Sequence, residues 1–222
     1  MKGKTRGHRP APTGNVKDLF ITGTDTGIGK TLLSSLLVTA LDRDYWKPIQ
    51  TGATEGTDRE TVVKQTGIPR NRAHPETYIF DLPVSPHLAA EWRGMEIDIE
   101  RIQRPSSSKD LVIEGAGGIM VPINSRVFML DLARHLNTTL VIASRTALGT
   151  INHTLLTVNT IRSAQLPMTG VVMIGDENKD NRRAVERYGN VPVIGWIPRL
   201  ERIDRETLQS VFQRHFDPRA FS

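Results

Sequence analysis

Cysteine is absent from the 222-residue chain, which excludes disulfides, thiolate nucleophiles and cysteine-ligated metal centres. Long hydrophobic runs are also missing, because no apolar stretch approaches the roughly 18 residues that a membrane-spanning helix needs. No hydrophobic secretory segment follows Met1. These absences predict a cytoplasmic protein with no membrane partner, and the length suits one domain with a full hydrophobic core.

Acidic residues are missing from the first 17 positions, and this absence explains the net charge of +5. The segment is rich in Gly and Pro and poor in apolar side chains, so it cannot bury enough surface to order itself. Without its five basic residues, the chain has 24 basic and 24 acidic residues, which gives no indication of a nucleic-acid-binding surface. We therefore predict a disordered basic tail over residues 1–17 and one folded domain over residues 18–222.

Hydrophobic runs alternate with stretches of helical spacing after the tail. Several runs, such as TLVIAS and GVVMI, are almost continuous in Val, Ile and Leu, which is typical of strands buried on both faces of a parallel sheet. The alternation predicts an α/β, doubly wound fold with a mostly parallel sheet, similar to P-loop NTPases. Residues 45–50 are predicted as one of its strands. Ligands of such folds bind beyond the carboxyl ends of the strands.

A glycine-rich loop, GTDTGIGKT at residues 23–31, joins a predicted buried strand to a predicted helix. Its first glycine stands seven residues before Lys30, where the usual phosphate-loop pattern has six. Glycines let backbone N–H groups point at phosphate oxygens, and the start of the helix adds its dipole. Lys30 supplies a charge for the β- and γ-phosphates, and Thr31 a hydroxyl for Mg²⁺. The loop therefore predicts a magnesium-dependent nucleoside triphosphate site.

Two carboxylates are candidates for the same metal. Glu114 ends a hydrophobic strand in LVIEGAGG, where an acidic residue is unexpected unless it binds something, and magnesium sites commonly use one or two carboxylates. Asp58 lies in a polar segment, and from the residues alone a metal ligand and a solvated charge are equally good interpretations.

Five blocks resemble, in the same order, the motifs of the dethiobiotin synthetase family. They are TGTDTGIGKT (22–31), KPIQTG (47–52), SPH (85–87), EGAGG (114–118) and LGTINHTLLT (148–157). The resemblance implies that 7,8-diaminononanoate, carbon dioxide and ATP give dethiobiotin, ADP and phosphate. A substrate amine becomes a carbamate, the carbamate attacks the γ-phosphate, and the second amine closes the ureido ring and expels phosphate.

The resemblance also implies roles for individual residues. The catalytic set is Lys47, Lys30 and Thr26, and the magnesium ligands are Thr31, Asp58 and Glu114. Substrate contacts are implied for Thr26, Lys47, Thr51, Leu148, Gly149, Thr150 and Asn152. Nucleotide contacts are implied for Gly27, Ile28, Gly29, Lys30, Thr31, Leu32, Asp58, Glu114, Gly115, Ala116, Gly117, Gly175, Pro198 and Leu200. In this family residues 148–152 serve the site of the partner subunit, which implies a homodimer.

The chain departs from the family pattern at two positions. Gly27 stands where some members have Glu, and Gly175 stands where some have an Asn whose amide reads adenine. A glycine has no side chain with which to read a base.

A partition or septum-positioning P-loop ATPase, acting on DNA or membrane, is the alternative. Such proteins use a second lysine near the start of the loop, where this chain has Thr24 and Asp25.

Overall fold

The computed structural model describes residues 18–221. The predicted tail, residues 1–17, lies outside the described residues. Within them, the strands are β1 (Leu19–Gly23), β2 (Asp44–Trp46), β3 (Ile49–Gln50), β4 (Ala73–His74), β5 (Tyr78–Ile79), β6 (Leu111–Gly118), β7 (Thr139–Arg145), β8 (Met168–Ile174) and β9 (Val193–Ile197). The α-helices are α1 (Lys30–Ala40), α2 (Asp58–Thr66), α3 (Pro86–Glu91), α4 (Met129–His135), α5 (Thr150–Ser163), α6 (Lys179–Gly189) and α7 (Arg205–His215).

Seven strands form one parallel sheet in the order β4-β2-β6-β1-β7-β8-β9. Alternate residues of a strand point to opposite faces, so Phe20 enters one hydrophobic cluster and Ile21 the other. Both faces are therefore covered, which explains the uninterrupted apolar runs in the sequence. The predicted doubly wound α/β fold is confirmed.

The segment predicted as a single strand over residues 45–50 is divided in the structure. β2 ends at Trp46, and β3 pairs with β5 in a separate two-stranded sheet. Pro48 lies in the break, and its missing N–H explains why the main ladder does not continue. Lys47 also lies in the break, so its side chain leaves the sheet where the chain changes direction.

The strand predicted to end at Glu114 is longer in the structure. β6 runs on to Gly118, and α6 begins at Lys179 because the Asn178 side chain accepts a hydrogen bond from the Asn181 N–H, which caps the helix. No helix within residues 18–221 is long and apolar enough to cross a membrane.

Candidate functional site

The phosphate loop lies between β1 and α1, at the carboxyl end of the sheet. The unusual position of its first glycine has a steric reason. A Cβ at Gly23 would lie 2.7 Å from the Asp25 carbonyl oxygen and 2.8 Å from Cδ1 of Ile28. Because the loop folds back tightly onto residue 23, glycine is required there, and Thr24 can occupy the position that is glycine in the usual pattern.

Lys30 is the first residue of α1 and is 7% exposed. Burial lowers the pKa of its ammonium, and attraction to the Glu114 carboxylate only partly offsets that effect. Its side chain lines the same cavity as Gly27 and Gly29. A buried ammonium beside a glycine-rich loop offers an anion a charge that has already been desolvated.

Three oxygen-bearing side chains from different elements meet beside Lys30. The Thr31 hydroxyl contacts Oδ1 of Asp58 at 2.7 Å and Oε1 of Glu114 at 3.0 Å. Asp58 is the first residue of α2, which is capped by reciprocal hydrogen bonds between Thr57 and Glu60. Glu114 lies within β6 and is 1% exposed, so it is not a solvated charge at the end of a strand.

The spacing of these oxygens suits a magnesium ion. Neighbouring ligands of an octahedral ion with Mg–O distances of about 2.1 Å lie about 3.0 Å apart, which compares with the 2.7 and 3.0 Å observed around Thr31. Residues 18–221 contain no group of three or more His, Cys, Asp or Glu side chains that could hold a metal. Two carboxylates and a hydroxyl fit an ion that takes its remaining ligands from water and phosphate.

Lys47 pairs with both carboxylates. Its Nζ donates to Oδ2 of Asp58 and lies 3.3 Å from Oε1 of Glu114. Burial favours the neutral amine, but attraction to Glu114 and Asp58 outweighs it and raises the pKa of Lys47. Burial likewise opposes ionisation of Asp58, yet its contacts with Lys47 and Thr31 lower the pKa of that carboxyl. Lys47 is therefore an ammonium that neutralises buried negative charge, and not a proton acceptor.

A cavity of about 540 Å³ opens above these groups. Its lining includes many of the predicted site residues, namely Thr26, Gly27, Gly29, Lys30, Thr31, Lys47, Thr51, Asp58, Glu114, Ala116 and Gly117. The remaining wall is formed by residues 83–86 and Val121. That wall was not assigned from the sequence, although the SPH block reaches Ser85, because apolar residues such as Pro83 and Val84 carry no chemical signature.

Three predicted nucleotide contacts close to the loop lie behind this cavity. Ile28 is buried against the loop, Leu32 packs on the hydrophobic cluster below α1, and Gly115 lies against Phe20. None of the three is among the residues that line the cavity.

The remaining predicted nucleotide and substrate contacts lie outside the cavity lining. Gly175 follows β8, and Pro198 and Leu200 follow β9. Residues 148–152 span the start of α5, and Leu148, which precedes the helix, is fully exposed. The Thr150 hydroxyl is already bonded to Ser144 and to the Arg145 carbonyl. The structure thus brings Lys47 together with the residues predicted to bind phosphate and metal. It does not bring to the same cavity the residues predicted to contact the nucleotide base or the distal end of the substrate.

Two polar residues that sequence reasoning missed contact the site from outside the cavity. Tyr45 of β2 donates its hydroxyl to Oε2 of Glu114 at 3.0 Å. Arg145, the last residue of β7, donates to the carbonyl of Thr26 at 3.0 Å. Their partners are 69 and 119 residues away in sequence, so no local pattern could have indicated these contacts.

Residues 17–207 match the family of AAA domains. The chain is 44% identical to the ATP-dependent dethiobiotin synthetase BioD of Rhodopseudomonas palustris (strain TIE-1) over 203 residues, which cover 91% of this chain and 96% of that protein. It is also 44% identical to BioD of Agrobacterium fabrum (strain C58), over 89% of this chain and 93% of that protein. A 45% identity to the biotin biosynthesis bifunctional protein BioCD of Bordetella avium (strain 197N) covers 86% of this chain and 42% of that protein.

Solved structures show the same architecture at low identity. The ParA family ATPase from Chlorobium tepidum TLS has a TM-score of 0.55 and 14% identity, covering 90% of this chain and 92% of that chain. MinD in the MinC:MinD complex of Aquifex aeolicus reaches 0.50 at 15% identity, covering 87% and 85%. These likenesses establish the fold alone.

Proposed function

The chain belongs to the ATP-dependent dethiobiotin synthetase family, and from that membership we propose how its site closes a ureido ring. The five-block resemblance found in the sequence is confirmed by relatives that match about nine-tenths of the chain. The protein is accordingly an ATP-dependent ligase of biotin biosynthesis. Our proposal concerns the substrates, the intermediates, the metal, the residues that act and the assembly.

The observation that carries the proposal is the meeting of the phosphate loop with Lys47 and two carboxylates in one cavity. We propose that 7,8-diaminononanoate binds there beside the γ-phosphate of ATP. Carbon dioxide adds to one of its amines, which loses a proton and becomes a carbamate. Because the pKa of Lys47 is raised, this residue acts as a fixed positive charge that holds the carbamate oxygens, and not as a base.

Phosphoryl transfer follows in the proposed sequence. A carbamate oxygen bonds to the γ-phosphorus as the bond to the bridging oxygen of ADP breaks, which gives a carbamic–phosphoric anhydride. Lys30 neutralises the charge on the moving phosphoryl group. The second amine then attacks the carbonyl carbon, loses its proton, and expels phosphate. Thr26 and Thr51 line the cavity near these groups and would hydrogen-bond the amine end of the substrate.

Thr31, Asp58 and Glu114 would hold Mg²⁺, as their oxygen spacing suggests. Bound there with the nucleotide, the ion would neutralise phosphate charge and orient the γ-phosphate. The ammonium of Lys47 shares both carboxylates, so it offsets one of their two negative charges before any cation is bound.

Part of the cavity wall suits the aliphatic part of the substrate. Pro83, Val84 and Val121 present apolar surface there, against which a methylene chain would pack. The distal carboxylate needs a cationic or N–H-rich partner, and the start of α5 is such a place. In this chain residues 148–150 lie outside the cavity lining, which supports a site completed by the loop of a second copy.

We propose a homodimer for that reason. Met120, Leu148 and Leu156 are three of the five large apolar side chains within residues 18–221 that are 50% exposed or more. Met120 and Leu156 line a second cavity of about 400 Å³ beside the phosphate loop, together with Thr26 and His153. Exposed apolar residues next to a site that lacks its distal contacts fit an interface between copies.

The test is direct synthesis. The purified chain is incubated with 7,8-diaminononanoate, bicarbonate and Mg²⁺, and with ATP, CTP or GTP in turn, while phosphate release and dethiobiotin mass are measured. We expect dethiobiotin to form with one phosphate released for each product molecule. The three nucleotides compare base selectivity at a site where Gly175 offers no side chain. Triphosphate hydrolysis without dethiobiotin would contradict the proposal and favour a ligase with another amine substrate.

A further inference from the structure

Tyr45 is a fully buried tyrosine at the centre of β2, and within residues 18–221 its hydroxyl has one hydrogen-bond partner, Oε2 of Glu114, at 3.0 Å. β2 lies beside β6 in parallel, with Tyr45 opposite Val112 and Trp46 opposite Ile113. Tyr45 and Val112 join the cluster below α1, and Trp46 and Ile113 the opposite cluster. Side chains alternate along a strand, so Glu114 projects to the same face as Tyr45.

The two oxygens of Glu114 consequently face different partners. Oε2 receives the hydrogen bond from Tyr45 inside the protein. Oε1 faces the Thr31 hydroxyl at 3.0 Å and the Lys47 ammonium at 3.3 Å, towards the cavity. A carboxylate held by one oxygen cannot rotate freely about its last bond, so the direction of Oε1 depends on Tyr45.

We propose that Tyr45 is a positioning residue that holds Glu114 so that Oε1 alone is presented to the metal. The inference rests on the magnesium site of the proposed function. It requires no contact between Tyr45 and substrate or metal. A phenylalanine fills the same space without the hydroxyl, so Tyr45→Phe leaves the packing of β2 and removes only the group that fixes the carboxylate.

A second buried tyrosine provides a matched control. Tyr78 exchanges hydrogen bonds with the backbone of Asp98, at 3.2 and 3.3 Å, and is 8% exposed. Tyr78→Phe removes a buried hydroxyl of the same kind, but Tyr78 has no contact with Glu114 among the hydrogen bonds of residues 18–221. The two variants therefore separate the loss of a buried hydroxyl from the loss of the carboxylate's orientation.

The experiment measures metal binding directly. Mn²⁺, which accepts the same oxygen ligands as Mg²⁺, is titrated into the full chain and free ion is followed by electron paramagnetic resonance. Removing a residue that orients a metal ligand commonly weakens binding about 10- to 100-fold. We expect Tyr45→Phe to raise the dissociation constant for Mn²⁺ about tenfold, and to raise the Mg²⁺ concentration that half-saturates dethiobiotin formation. Tyr78→Phe should leave both quantities at the wild-type values.

The outcomes distinguish the inference from the function on which it rests. Equal Mn²⁺ affinity in Tyr45→Phe and wild type would overturn the positioning role, as would an equal loss in Tyr78→Phe. Glu114→Gln tests the site itself. If that variant binds Mn²⁺ as the wild type does, the proposed magnesium site is wrong and the inference falls with it. Weakened binding in Glu114→Gln with normal binding in Tyr45→Phe would overturn the inference alone.

Discussion

Two neighbouring regions at the carboxyl edge of the sheet are built in different ways. In the inner site, defined as Thr31, Lys47, Asp58 and Glu114, every side chain contacts at least one other, and Lys47 and Glu114 are buried. In the outer loop, residues 145–152, Leu148 is fully exposed and Arg145 reaches back to the phosphate loop. The inner site has its geometry before any ligand arrives.

This difference follows from the charges. A buried carboxylate and a partly buried one cannot both stay ionised close together without a nearby cation, and Lys47 supplies that cation within the same chain. The outer loop carries no such requirement, because most of its residues are exposed to solvent. A reaction in which charge develops depends on charged and polar groups that are already in position. Recognition of the substrate's distal carboxylate, by contrast, can be completed by a second subunit.

Replacement of Lys47 should have the largest effect. In Lys47→Met, the cation that would hold the carbamate is lost, and we expect turnover to fall by about 10²- to 10³-fold with little change in ADP affinity. Dethiobiotin formation and ADP calorimetry measure the two quantities. Lys64→Met, at an exposed lysine of α2, is the control. Normal turnover in Lys47→Met would show that the chemistry occurs elsewhere.

A charge introduced on the exposed surface of α5 should prevent the proposed dimer from forming. Leu156 is 60% exposed and lines the second cavity, so Leu156→Asp should place a desolvated carboxylate in the proposed interface. We expect light scattering to show a monomer and dethiobiotin formation to fall at least tenfold, because a buried unpaired charge costs several kcal/mol. Tyr188→Asp, at another exposed apolar position, should remain dimeric. A fully active monomer would show that one chain completes its own site.

The sequence predicts some residues of the site better than others, and the reason is physical. The phosphate loop is predictable because residues 23–31 are contiguous in the sequence. The glycines and hydroxyl groups of such loops have known roles in phosphate and metal binding. Glu114 was detectable because it interrupts an apolar strand. Asp58 was ambiguous until α2 placed its carboxylate 2.7 Å from Thr31. That contact spans 27 residues and depends on how two helices pack, which a single sequence does not reveal.

The contact between Tyr45 and Glu114 is one that the sequence does not predict at all, because it depends on strand register. Tyr45 contacts Glu114 because β2 and β6 are aligned with residue 45 opposite residue 112. Neither strand has a sequence feature that predicts this register. β4 and β5 have two residues each, which is too short for any periodic pattern. The break at Pro48 was visible in the sequence, yet residues 45–50 were predicted as one strand because the apolar pattern runs through it.

Replacing Gly175 by a residue with a side chain should destabilise the fold, for a reason unrelated to recognition of the nucleotide base. Gly175 has φ +127°, and a Cβ would lie 2.6 Å from Oγ1 of Thr146 in the outer loop. We expect Gly175→Ala to lower the free energy of unfolding by about 1–3 kcal/mol, as measured by urea denaturation. Gly94→Ala, also at positive φ but with no atom within 4 Å of the added Cβ, should cost less. Equal costs would show that the contact with Thr146 is relieved easily.

Arg145 joins the two regions, and its replacement should have the smallest effect. In a planar trans peptide the C=O and N–H point in opposite directions. The hydrogen bond from Arg145 to the Thr26 carbonyl therefore fixes the direction of the Gly27 N–H within the phosphate loop. Loss of one such bond is worth about 1 kcal/mol, so Arg145→Met should weaken ADP binding about fivefold. Turnover at saturating ATP should change less. Arg145→Lys, which keeps a donor on a shorter side chain, should recover part of the affinity. If turnover instead fell while ADP affinity stayed unchanged, Arg145 would act on the reacting groups, and the outer loop would belong to the catalytic machinery of its own chain.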